Sequence, residues 1–365
     1  MKTGTIIFKL ELGGRGIVNF DDPSTQKKFI VDHCGSDKKI YHNNNIKVGK
    51  KAYTKRAEPT VIMNEDGEVV RVIDVDYNLK ISSNCLRHEI FVNDAEIQNV
   101  KSFLSDFILS RYTTSVQKLL QGYTCLSQDD SLTRKGALSI TDALENSGAQ
   151  IFMECHSNSG PKEKTSDEGS TSLFFSEQVG DTSYEAYGSI SLKELQFISA
   201  DPFFGRLRLK PEWFEGDSPL IVDAFKSHYG VVPFKTGYYT SSTAVYGKRL
   251  AEFGIRLSDD FVKFLVREQL KRILDIYINR AGAVAYTTKL KIKLVKDCYG
   301  ANFRNNEGWI EITSENVDSL DFDMFNFFDE CTEEEISATK AEIDKAEIIS
   351  AKLKEEKKPK KNKKK

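Results

Sequence analysis

The sequence predicts an α+β protein, an antiparallel sheet with helices packed on one face. Two strands and two helices carry that expectation. Thr5-Ile6-Ile7-Phe8-Lys9-Leu10-Glu11-Leu12 alternates, with Ile6, Phe8, Leu10 and Leu12 on one face, the pattern of a half-buried strand. Thr288 to Leu294 alternates as cleanly, apolar at the even positions and with Lys289, Lys291 and Lys293 sharing the other face. Between these ends, apolar residues recur at helical spacing over 103–120 and again from Ser258 onward.

Taken in order, Gly13-Gly14-Arg15-Gly16 reads as a loop closing the first strand. It lacks the Gly-Lys-Ser/Thr of a nucleotide-hydrolysing phosphate loop, yet its backbone can approach a phosphodiester, with Arg15 beside it. Val69 to Tyr77 reads as a second strand. It leads into Ile81-Ser82-Ser83-Asn84-Cys85-Leu86-Arg87-His88-Glu89-Ile90-Phe91, the start of a helix. Ser82, Ser83 or Asn84 can cap its first amides, and Arg87 follows on the same face. Amide donors, the positive end of the dipole and a guanidinium then converge on a patch suited to phosphate. An ordinary capped surface helix has the same composition, so both readings stand.

The helix over 103–120 has a break near Arg111-Tyr112 and a stop at Gly122. A weaker helix surrounds Ser218 to Tyr229. Ser258-Asp259-Asp260 caps a strong helix running to about Asn279, with Phe261, Phe264, Leu265, Ile273, Leu274 and Tyr277 inside and Gly282 closing it. The lysines of 289–293 suit either a platform for a polyanion or an edge strand protected from aggregation.

With 39% hydrophobic and 29% charged residues, the chain suits a globular protein with a sizeable core. The opening residues run straight into a strand, leaving no room for a signal peptide, and no apolar run approaches the roughly 20 residues of a membrane helix. Six cysteines without paired spacing indicate reduced thiols, hence a cytoplasmic protein with no membrane partner.

The net charge of −2 hides segregation. Nine acidic and no basic residues lie between Glu315 and Glu335, and nine lysines crowd Lys352 to Lys365. The body is near neutral, so nucleic-acid affinity must come from local patches. The first patch lies in an insertion at about 33–62: Lys38 to Arg56 holds seven Lys/Arg and no Asp/Glu, among them Lys47, Lys50, Lys51, Lys55 and Arg56. A solvated loop would mix signs, so this stretch points to phosphate contacts. Arg206 and Arg208 after Pro202-Phe203-Phe204-Gly205 form a second cluster. Lys248 and Arg249, with Tyr238, Tyr239 and Tyr246 nearby, form a third. Cations beside aromatic faces suit single-stranded bases, although core aromatics explain any one of them as well. A second insertion spans about 157–215, beginning with a Ser/Gly/Lys-rich loop tip and continuing as short aromatic strands. Residues 1–313 are thus one domain with insertions. The acidic segment of 314–365 follows, with a charged helix over about 333–355 outside the core and a disordered lysine tail.

Chemistry beyond binding has weak support. His33-Cys34 with His42, and Cys155-His156, lack paired ligand spacing, so no metal and no cofactor is expected. Asp21-Asp22 precedes Pro23-Ser24 and reads as a turn. No catalytic arrangement stands out.

The first-strand opening, the Ser-Ser-Asn-Cys-Leu-Arg-His segment at 82–88, and Leu195-Gln196-Phe197-Ile198-Ser199 with its aromatic flanks resemble one group of proteins. They resemble the repeated backbone subunit of type I CRISPR surveillance complexes, closest to type I-F variant or type IV forms, over most of residues 1–300. The resemblance implies an RNA-recognition-motif-like (ferredoxin-like) palm, βαββαβ in outline, with finger and thumb insertions. It implies a non-catalytic subunit that binds CRISPR RNA, assembles with copies of itself along it, and presents it for pairing with target DNA beside other complex subunits. The helix start, with Ser83, Asn84, Arg87 and His88, would lie on the guide backbone, and 38–56 would be a finger or thumb. No residue clearly matches the aspartate with which the related type III backbone cuts RNA, so cleavage is not carried over. Two other readings stay open. One is a metal-dependent ribonuclease using Asp21, Asp22 and His33. The other is a scaffold whose 315–335 stretch docks a basic partner.

Overall fold

Thr5–Arg15 forms β1, and it is paired along its whole length on both sides. On one side runs β12 (Asp181–Ser191), on the other β17 (Ala283–Val295), both antiparallel. The structure, a computed structural model, describes residues 2–16, 18, 53–55, 60–63, 69–73, 77–92, 105–126, 131–146, 152–159, 172–201, 207–242, 250–280, 283–296 and 307–356. Among these, the main sheet continues beyond β17 to β16 (Tyr277–Arg280). Beyond β12 it continues through β9 (Ala143–Glu145) and β5 (Tyr77–Ile81) to β2 (Tyr53–Lys55). Short strands β8 (Leu138–Ile140) and β18 (Ile310–Ile312) add to β12 and β17.

The expected inner face is present, with Ile6, Phe8, Leu10 and Leu12 fully buried. Against it pack α1 (Ser83–Val92), α3 (Val116–Gln121), α4 (Leu192–Gln196) and α6 (Asp259–Leu274). Helix α2 (Asp106–Thr114) precedes α3 and packs on α5 (Leu220–Tyr229). A smaller antiparallel sheet orders β13 (Phe197–Ser199), β15 (Glu252–Leu257), β14 (Phe234–Ser241) and β19 (Phe328–Glu330). Three hairpins complete the strands: β3 (Thr60–Met63) with β4 (Val69–Ile73), β6 (Gly122–Leu126) with β7 (Ser131–Lys135), and β10 (Phe152–Ser159) with β11 (Ser172–Val179).

Several expectations are corrected. Gly13, Gly14 and Arg15 are not a loop but the last three residues of β1. A Cβ on Gly14 would sit on the Val284 carbonyl oxygen, and one on Gly13 would press the Thr288 methyl at 2.8 Å. The glycines are there so that neighbouring strands approach closely. Val69 to Tyr77 divides into β4 and the start of β5. The break in 103–120 falls at Ser115, not at Arg111-Tyr112: its hydroxyl accepts from the Lys118 amide and caps α3. Helix α6 stops at Leu274, because Ile276 and Ile278 are buried while Tyr277 and Asn279 are exposed. That is a period of two, and β17 supplies the partner strand. β17 itself is flanked on both sides, so its lysines do not guard an edge. Residues 181–191, within the expected second insertion, are the strand next to β1.

The acidic segment also joins the body. Phe322, Met324, Phe327 and Phe328 are buried in the same core. Its carboxylates meet body lysines: Asp318 with Lys271 at 2.8 Å, Asp321 with Lys263, and Glu330 with Lys235 at 3.7 Å. Helix α7 (Glu333–Glu356) opens with a reciprocal cap, in which Thr332 Oγ1 accepts from the Glu335 amide and Glu335 Oε2 from the Thr332 amide. Thr339 is buried and accepts from the Ala251 amide at 3.0 Å, so the first half of this helix is docked. The tail after 356 lies outside the described residues.

Two polar ties hold the helices near β5 and β7. Arg134, only 2% exposed, donates to the carbonyls of Lys118, Leu119 and Glu194, linking β7 to α3 and α4. Asp142 Oδ1 accepts from the Ser83 amide at 2.8 Å, and Oδ2 meets Lys80 Nζ at 3.0 Å. Burial opposes ionisation of Asp142, but the Ser83 and Lys80 contacts outweigh it and hold the carboxyl below its usual range.

Arg134→Met should lower stability by roughly 2–4 kcal/mol, since three carbonyls lose a charged donor. Urea denaturation would show a lower midpoint with unchanged slope, and Arg134→Lys should not restore it. Because the Asp142 pKa is depressed in the fold, its contribution is complete above the ordinary aspartate pKa and disappears as pH falls through the lowered one. Asp142→Asn should therefore cost up to about 1 kcal/mol at neutral pH, the value being limited by solvent screening. The gap between wild type and variant should close in acid denaturation curves.

Candidate nucleic-acid interface

Helix α1 begins where β5 ends, and its first amides already have partners. Ser82 Oγ accepts from the Cys85 amide at 3.3 Å and the Ser82 carbonyl from the Leu86 amide at 3.1 Å. The Ser83 amide is held by Asp142. The expectation that Ser83 offers its amide to a phosphate is thus corrected: the protein's own carboxylate sits at that end of the dipole. What faces solvent is the next turn, where Asn84, Arg87 and His88 are exposed.

These three side chains line one wall of an open cleft of about 740 Å³. Tyr112 of α2, Lys118 and Gln121 of α3, and the β6–β7 hairpin form the rest. None of the described lining residues is Asp or Glu, whereas Arg87, Lys118, Arg134 and Lys135 are cations. Arg134 is committed to three carbonyls. Arg87 and Lys135 are exposed and make no ion pair among the described residues.

Lys118 is the unusual member. It is 8% exposed, its Nζ donates to Gln121 Oε1 at 2.9 Å and lies 4.9 Å from the centre of the Tyr112 ring. Burial pulls its pKa down from the ordinary lysine value, opposed by nearby Cys125. Burial pushes the Tyr112 phenol up to about 12, and raises the Tyr123 phenol and the Cys125 thiol as well. At neutral pH these neighbours stay uncharged, so nothing in the described wall neutralises the cations. A cavity of this charge takes an anion with several acceptor oxygens.

The other expected contacts fall elsewhere. Arg15 ends β1 on the main sheet, opposite Asp181 and Val284. Arg208 is half-buried near Glu252 and Arg134, and its carbonyl accepts from the Tyr123 hydroxyl. Lys55 lies in β2, opposite Tyr77 of β5, so the described end of the basic insertion runs beside the strand that feeds α1. Lys47, Lys50, Lys51, Arg56, Arg206, Lys248 and Arg249 lie outside the described residues, as do Asp21, Asp22, His33 and His42. Sequence reasoning missed Lys118, Lys135 and Tyr112. A lysine among the buried positions just before the Gly122 stop was the available signal.

No curated protein matches the sequence. Among the solved structures that align with it are two at 10% identity. A CRISPR RNA-guided surveillance complex chain aligns over 78% of this chain and 68% of its own, with a TM-score of 0.30. A chain of a pre-nicking CRISPR RNA-guided surveillance complex aligns over 79% and 77%, with a TM-score of 0.32. Residues 4–316 match the family described as Type I-Fv CRISPR-associated protein Cas7fv-like. That span takes in the main sheet, the cleft and most of the second sheet, and the chain belongs to the Cas7fv-like family.

Proposed function

We propose that the acid-free cleft beside α1 holds the sugar–phosphate backbone of a CRISPR guide RNA. Family membership makes the chain a guide-RNA-binding backbone subunit of a CRISPR complex. The observation that carries the site is the charge of its wall: exposed Arg87 and Lys135 and the desolvated Lys118, with no described carboxylate among them. Phosphates would meet these cations, while Asn84 and His88 supply further hydrogen-bonding groups. Base edges would remain free to pair with target DNA.

In this reading the main sheet and its helices are an RNA-recognition-motif-like palm. Copies line up along one guide, and the basic insertion at 38–56 reaches over it as a finger or thumb. On the same reading the subunit binds guide RNA without cutting it. The scaffold reading loses support because three carboxylates of the acidic segment, Asp318, Asp321 and Glu330, already pair with lysines of this chain.

Arg87→Ala and Lys135→Ala should each weaken RNA binding and reduce the slope of log affinity against log salt by about one unit. Lys263→Ala, which removes a partner of Asp321 outside the cleft, should leave the slope alone. Slopes unchanged in the first two variants would remove the RNA backbone from this cleft. Bound RNA kept in magnesium should remain full length; shortening would return the ribonuclease reading.

A further inference from the structure

The outer face of the main sheet carries a second feature. Tyr277 of β16 and Tyr286 of β17 are directly opposed partners, 58% and 47% exposed. Neither ring contacts another aromatic ring among the described residues. In the same row Tyr286 faces Gly13 of β1, and Gly13 faces Ser183 of β12. The end of the Tyr286 ring lies over Gly13, its Cζ and hydroxyl oxygen 3.8 Å from where a Cβ would be, and the ring is still 47% exposed. Tyr277, its cross-strand partner, adds a second exposed ring, and the two together make an aromatic shelf.

The same face is cationic. Lys289 is opposite Glu11 and Leu12 is opposite Thr287, so Thr288 is an extra residue in β17. That bulge keeps Tyr286 on the face shared by Lys289, Lys291 and Lys293. Lys289 is paired with Glu311 at 3.1 Å, and Lys9 with Glu185. Lys291 and Lys293 make no ion pair among the described residues; Lys291 stands between Lys9 of β1, which is paired with Glu185, and Glu311 of β18, which is paired with Lys289.

We infer that this shelf stacks unpaired bases of single-stranded RNA on Tyr277 and Tyr286, with Lys291 and Lys293 meeting the adjoining phosphates. Exposed rings beside lysines that make no ion pair among the described residues are the chemistry of a sequence-tolerant single-strand contact. The shelf is separate from the cleft at α1, and the inference rests on the guide-RNA reading only for the kind of nucleic acid. The occupant differs in what it offers: the cleft takes phosphates, the shelf takes base rings.

Binding of a short single-stranded oligoadenylate can be compared with binding of a base-free ribose–phosphate chain of the same length. Tyr277→Leu and Tyr286→Leu should each weaken oligoadenylate binding about tenfold and leave the base-free chain unaffected. Tyr277→Phe and Tyr286→Phe keep the rings and should bind oligoadenylate like wild type. Equal losses on both chains, no loss on either, or loss in the Phe variants would overturn the shelf. So would a change in oligomer size by sedimentation without a change in RNA affinity, which would make the tyrosines a contact between copies. Failure of the cleft appears separately, as base-free chain binding that Arg87→Ala does not weaken.

Discussion

The buried guanidinium of Arg134 is the interaction around which the interface is organised. A cation at 2% exposure is tolerable only because three main-chain carbonyls accept hydrogen bonds from it. Those carbonyls come from the end of α3 and from α4, so the charge fixes where the β6–β7 hairpin lies against both helices. The position of Lys118 follows from it, since its own carbonyl is one of the acceptors. So does the shape of the cleft, which has α1 as one wall and this hairpin as the other.

Charge elsewhere is arranged to leave that cleft alone. Three carboxylates of the acidic segment, Asp318, Asp321 and Glu330, meet Lys271, Lys263 and Lys235, and Phe322, Phe327 and Phe328 enter the core. Asp142 sits at the start of α1, bound to the Ser83 amide and Lys80, and is not among the residues that line the cleft. A near-neutral body thus presents locally unbalanced positive charge, which is how a protein with a net charge of −2 keeps affinity for a polyanion.

The sequence was most legible where period and burial agree. The alternation of β1, the Ser258 cap of α6 and the Gly122 stop all appear where the pattern places them, because a single local cause determines each. It was misleading where neighbours in space decide. Gly13-Gly14 resembles a loop until two flanking strands are known to crowd it. The buried aromatics of 322–328 were obscured by the acids between them, and the alternation at 276–279 was absorbed into a helix by the strong periodicity before it. At the site, Asn84, Arg87 and His88 were found from a capped helix start. Lys118 and Lys135 were not, because their place in the cleft comes from the packing of α3 against a hairpin distant from α1 in sequence.

One measurement locates guide RNA in the cleft between α1 and the β6–β7 hairpin or places it elsewhere. The most direct measurement is ultraviolet crosslinking of the protein purified with a CRISPR array, followed by mass spectrometry of the RNA-bearing peptides. The account predicts crosslinks on peptides that carry residues 84–91 and 118–135. Array RNA bound with crosslinks absent from both peptides would contradict it.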